Sequence, residues 1–140
     1  MVSRNRALVA AAGVAVAVGL VMLRAYDPAT SGVFPPCPVR YLTGWYCPGC
    51  GSLRAMHQLL HGNLQAAWAM NPLTILFLPF IAYGLASHAL LALRGRGLPG
   101  IFLPALWIRV MCGVIVLFGV LRNLPVHPFD LLAPGGMLRF

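Results

Sequence analysis

The sequence predicts an all-α fold, a small integral membrane protein with three transmembrane helices and a short amphipathic interfacial helix that follows a cysteine-rich loop. Three observations predict it. Hydrophobic residues make up 60% of the 140-residue chain and charged residues 9%, against about 25% charged residues in a soluble domain. Three apolar runs, 7–23, 73–93 and 101–121, are each bordered by arginine or by turn residues. Three of the four cysteines fall in one stretch, Cys37 to Cys50, rich in proline and glycine. At this length the chain is a single domain.

The first run follows Arg4 and Arg6 and closes at Arg24. Its 17 or so residues are the short end of what crosses a bilayer. It is long for the apolar region of a signal peptide, and Arg24-Ala25-Tyr26-Asp27-Pro28 is a poor cleavage context, so the helix is read as retained. Residues 26–36 form a linker in which Asp27-Pro28 and Pro35-Pro36 forbid regular structure. The cysteine loop and interfacial helix occupy 37–70. Pro48, Gly49 and Gly51 break the chain around the C-x-x-C pair. From Ser52 the pattern turns helical: Leu53, Met56 and Leu60 on one side, Arg54, His57, Gln58 and His61 on the other. Gly62-Asn63 supplies the stop, and residues 64–70 are read as a further helical stretch along the membrane surface with Trp68 as an anchor. Asn71-Pro72 starts the second span, with Asn as N-cap and Pro in the first turn; Pro79 inside it predicts a kink. Residues 94–100 make a tight loop. The third span, 101–121, contains Arg109 near its start, where the side chain can snorkel.

The chain carries C-P-x-x-x-L-T-G-x-x-C-P-G-C-G-x-x-R-A from Cys37 to Ala55, then Leu59-Leu60-His61-Gly62, Asn71-Pro72-Leu73, Leu121-Arg122-Asn123-Leu124-Pro125 and Pro128-Phe129. In these motifs it resembles the bacterial membrane family called domain of unknown function 2752, over roughly Cys37 to Pro134. The resemblance implies a small multi-pass membrane protein with Cys37, Cys47, Cys50, Arg54 and His61 as signature residues. It implies no reaction.

Charge and topology add a second layer. The net charge of +8 comes from ten arginines, with no lysine and no glutamate. The arginines flank apolar runs, which is a membrane-topology pattern rather than a nucleic-acid footprint, so no nucleic-acid partner is expected. Three spans put the cysteine loop and the tail after Leu121 on one side of the membrane. That face collects the three cysteines with Arg54, His57, His61, Arg122, His127 and Asp130. The arginine-dense N-terminus and 94–100 loop are read as cytoplasmic, and the cysteine loop of this multi-pass cell-membrane protein as extracytoplasmic.

The cysteine cluster admits three chemistries. Cys37, Cys47 and Cys50 could hold a metal ion such as zinc or iron. They could instead form or cycle a disulfide, which an extracytoplasmic site permits, although one thiol would be left over. They could also be small apolar side chains shaping a loop. Cys50, expected at the start of the interfacial helix with Arg54 one turn on, is the predicted thiolate. His57 lies about 10 Å of helix beyond Cys50 and His61 farther, so they reach a shared metal poorly, but as an i,i+4 pair they could bind one between them. Arg54 and Arg122 are candidate functional residues because arginine is costly near hydrocarbon; a lipid headgroup contact is the simpler role for each. Cys112 and His88, inside spans, read as packing and as a polar contact. Paired carboxylates, phosphate loops and dinucleotide motifs are absent. The reading is a largely non-enzymatic membrane component whose cluster binds metal or cycles thiols, with a structural or assembly subunit as the alternative. Its partners are the lipid bilayer and a membrane-protein partner or a second copy of the chain.

Overall fold

The structure is a computed structural model that describes residues 2–100 and 104–136, with the side chains of residues 2–6 excepted. The described residues form six helices: α1 (Val2–Ala25), α2 (Pro38–Thr43), α3 (Ser52–Leu60), α4 (Leu64–Met70), α5 (Pro72–Arg94) and α6 (Ala105–Leu121), followed by a 3-10 turn at Phe129–Leu132. No strand occurs among them.

Two helices are long and apolar enough to cross a membrane: α1 over Ala7–Ala25 and α5 over Pro72–Arg94. The expected third span is shorter than its sequence run. Its helix begins at Ala105, with Pro104 as N-cap, and has 17 residues, about 26 Å of rise. Pro104 lacks the N–H that would continue a helix, and residues 101–103 of the run lie outside the described residues. Helix α5 starts as the sequence predicts: the Asn71 side chain accepts a hydrogen bond from the Thr74 N–H at 3.2 Å, and Gly95 closes it in a left-handed conformation. It remains helical through Pro79.

The packing is concentrated at one end. Helices α3 and α4 form a short hairpin that packs on α5; α1 lies against α5 and α3, and the 3-10 turn against α4. The buried side chains are small or polar, Ala55, Ala67, Ala69, Cys50, Asn71 and Arg122 with Leu23, and all lie at this end. Neither α5 nor α6 buries a described residue. Their large apolar side chains, Phe80, Ile81, Leu85, Leu106, Val116 and Leu117 among them, face outward. Two polar ties lock α1 to α3: a ring nitrogen of His57 meets the Leu23 carbonyl at 2.7 Å, and Arg24 donates to the Leu60 carbonyl.

Candidate metal centre

The stretch between Pro38 and Thr43 is a helical turn that the sequence reading treats as loop. Cys37 is its N-cap, Pro38 occupies the first helical position and Gly44 ends it with φ +75°, the proline-in, glycine-out order that favours a short helix. Chain reversal after Gly44 brings Cys47 back to Cys37. The Cys47-Pro48-Gly49-Cys50 segment then closes a tight turn, with the Cys50 N–H donating to the Cys47 carbonyl at 3.0 Å.

The three sulfurs meet there. Sγ of Cys47 lies 3.4 Å from that of Cys37 and 3.3 Å from that of Cys50, and all three sulfurs fall within 4.8 Å of one another. A disulfide needs about 2.05 Å, so all are free thiols. Three thiolates around one tetrahedral ion at metal–sulfur distances of about 2.3 Å would be about 3.8 Å apart. The two spacings to Cys47 are within about half an ångström of that value, and the donor set suits a thiophilic ion. No histidine, aspartate or glutamate among the described residues joins the group.

The electrostatics reverse one expectation. Cys50 is only 6% exposed, and burial, reinforced by the neighbouring sulfurs, pushes its thiol up to about 12. Cys37 is the acidic member, held down to about 7, chiefly by the backbone N–H of Arg40 and further by the other two sulfurs. Its sulfur makes no full capping hydrogen bond, so the field of the first turn of α2 acts on it at longer range. The sequence located a helix start beside a cysteine, but the helix is α2 rather than α3.

Three side chains from distant elements clamp the turn. Arg122, 1% exposed at the end of α6, donates from Nη1 to the carbonyls of Cys47 at 3.0 Å and Pro48 at 3.1 Å. Its Nη2 donates to the Cys50 carbonyl at 3.0 Å. The guanidinium lies 4.8 Å from the Phe118 ring and 5.7 Å from the Tyr46 ring. Burial lowers its pKa, and the negative charge that Cys50 and Cys47 carry when ionised opposes that shift. Asn71, fully buried, donates from Nδ2 to the Pro48 and Cys50 carbonyls and to Ser52 Oγ, at 3.0, 3.2 and 3.2 Å. Asn123 accepts from the Tyr46 N–H at 2.8 Å and donates to its carbonyl at 2.9 Å. Helix α6 comes this close because Gly119 faces Pro48; a Cβ there would stand 2.8 Å from Pro48 Cγ.

Of the predicted site residues, Cys37, Cys47, Cys50 and Arg122 come together. Arg54 does not touch the sulfurs; it is exposed on a cleft beside them. The rings of His57 and His61 meet at a tilt of 43°, centroids 4.4 Å apart, and their ring nitrogens contact the carbonyls of Leu23 and His57. They join no metal-binding group with the cysteines. His127 pairs with Asp130 at 3.4 Å. Cys112 and His88 are exposed on their helices.

Residues 37–85 match the family model described as Protein of unknown function (DUF2752). The DUF2752 segment contains all three cysteines, Arg54, both histidines and Asn71. The clamp residues Arg122 and Asn123 lie beyond it, so the site is completed by a part of the chain outside the match. No curated protein and no solved structure matches the chain. Asn71 and Asn123 hold the turn although the sequence reading did not assign them to the site; it gave Asn71 only as the N-cap of the second span. One signal was present for Asn71: its amide can cap with the oxygen while the NH₂ group still offers two donors.

Proposed function

We propose that this is a multi-pass membrane protein whose Cys37, Cys47 and Cys50 thiolates bind a thiophilic metal ion, zinc or iron, at the end of its helix bundle. The supporting observation is the mutual approach of three sulfurs, rather than two, at spacings suited to one ion. A pair would suffice for a disulfide; the third sulfur fits a metal. Arg122 lies beneath the turn and offsets the negative charge that three thiolates bring to a divalent ion. With three protein ligands, a fourth position is left for a ligand from outside the cluster, as in metal sites that exchange ligands.

The membrane assignment rests on α1 and α5, whose apolar surfaces are unburied, as lipid contact requires and a soluble core does not. Helix α6, at 17 residues, stands at the lower limit for a third crossing. Three crossings place the cysteine turn and Arg122 on one side, in keeping with their contact. By arginine distribution that side is extracytoplasmic, which labelling of intact cells with an impermeant thiol reagent tests: reaction only after lysis reverses the orientation.

A second reading, thiol–disulfide exchange, draws on Cys37, whose depressed pKa suits attack near neutral pH. One experiment separates the two. The purified protein is denatured with chelator, without reductant, and alkylated, and its intact mass and original metal content are measured. Four alkyl groups with a stoichiometric metal that Cys47→Ser and Cys50→Ser abolish, without loss of accumulation, support the metal site. Two alkyl groups mean a disulfide and refute it. Loss of accumulation in both serine variants points to a structural loop.

A further inference from the structure

A cleft of about 480 Å³ opens beside the sulfur triad, within the size range of small-molecule sites. Cys37 and Cys50 line it, together with Arg40 from α2 and Arg54 from α3. No acidic residue does. Among the described residues neither arginine has a carboxylate partner; the acid–base pair there is His127 with Asp130. The nearby Asp27 carboxylate accepts from the Ala29 N–H at 2.8 Å and is not part of the lining. The Arg40 guanidinium is held in place by stacking 3.8 Å above the Tyr46 ring. Pro134 from the tail also lines it. The cleft therefore presents two uncompensated guanidiniums and two sulfurs to one small volume.

We propose that this cleft binds a small oxyanion, a phosphate or carboxylate group, which Arg40 and Arg54 grip while it lies against Cys37 and Cys50. Guanidinium forks match these groups in geometry as well as charge. A cleft of one charge sign with low-dielectric walls also concentrates its counter-ion. The site stands on the cleft and its charges, so it holds whether the sulfurs carry a metal or react as thiols. The oxyanion can come from a soluble molecule or from an anionic lipid headgroup.

The test uses two alkylating agents on the metal-free full-length protein in neutral detergent. Iodoacetate carries the oxyanion and iodoacetamide does not; each forms the same S–C bond as iodide leaves. Mass spectrometry gives the rate at Cys37 with each. The iodoacetate-to-iodoacetamide ratio is expected to fall about tenfold in the Arg40→Gln/Arg54→Gln variant, the low end of electrostatic focusing, and to stay unchanged in Arg94→Gln. Using the ratio removes any change in thiolate fraction or folding from the comparison. Inorganic phosphate that slows iodoacetate at Cys37 identifies a soluble anion. Protection by phosphatidylglycerol nanodiscs, but not by phosphatidylcholine nanodiscs or phosphate, identifies the headgroup. An unchanged ratio in the double variant, or protection by neither anion, overturns the proposal.

Discussion

Arg122→Met is the perturbation that bears most directly on how the sulfur site is held. Methionine retains much of the side-chain volume and removes the charge and three hydrogen bonds. None of the three carbonyls is left bare. The Cys47 oxygen keeps the Cys50 N–H, and the Pro48 and Cys50 oxygens keep Asn71 Nδ2. The loss is therefore of second bonds, about 1 kcal/mol each, or about 3 kcal/mol together. The lost cation–ring contacts with Phe118 and Tyr46 add about 1 kcal/mol. Against this, the variant no longer buries a guanidinium, whose desolvation costs several kcal/mol. Global stability should accordingly change by no more than about 2 kcal/mol, and the protein should still accumulate. Metal affinity should respond more, because the arginine fixes the carbonyl side of the turn and sets a buried cation beneath it. A tenfold to hundredfold loss is the usual effect of removing such an outer partner, with the pH needed for half-loading displaced upward. Competition with a chromophoric chelator across pH 6 to 9 reads both quantities. Wild-type affinity and an unshifted pH profile in Arg122→Met would refute the role given to this residue.

Gly51→Ala and Gly49→Ala separate backbone geometry from loop composition. Gly51 has φ +88° and a Cβ there would stand 2.6 Å from the Met70 carbonyl oxygen, so alanine should cost at least about 2 kcal/mol. Gly49 has nothing nearer than 3.9 Å to such an atom and should tolerate alanine; equal thermal stability of the two variants in detergent would contradict this. Asn71→Asp keeps the helix cap but sets a carboxylate oxygen against the Pro48 and Cys50 carbonyls. It should lower the midpoint of thermal unfolding well below that of Asn71→Ser, and a smaller effect than serine would show that the amide donor is dispensable. In metal-free protein, the iodoacetamide reaction at Cys37 should be half-maximal near pH 7, since its thiol is held at about 7. A midpoint near the ordinary thiol value would remove α2 from the account. The sign for folding follows: a depressed folded-state pKa stabilises at pH above the unfolded value of 9.0 and is lost as pH falls through about 7. Cys50, raised to about 12, acts oppositely, its contribution complete below pH 9.0 and lost as pH rises toward 12.

Local signals made the two long helices readable. Asn71-Pro72 fixes the start of α5, and the apolar run before Arg24 fixes the body of α1, because cap chemistry and hydropathy act over a few residues. Helix α6 was harder: its apolar run continues back to Ile101, and hydropathy does not register that Pro104 sets the N-cap. The short α2 escaped notice since six residues hold no full period of a pattern, although Pro38 and Gly44 mark its ends. The cysteines identified the site by spacing alone. Their charge order did not follow, because Cys50 is buried in a turn that Arg122 and Asn71 hold by its carbonyl, contacts made across 72 and 21 residues of chain. Arg122 stood out because arginine is costly near hydrocarbon, with a lipid headgroup as the simpler partner; its partners are instead backbone oxygens, which no sequence pattern displays.

The bonds from Arg122 to Cys47 span 75 residues. At synthesis rates of about 5–20 residues per second, the ribosome needs roughly 4 to 15 s after making the cysteines before it has made the residue that secures them. For most of that interval the turn has Asn71 as its partner but not Arg122 or Asn123. The order of translation thus delivers the guanidinium to the turn last, after the cysteines and Asn71 have been made.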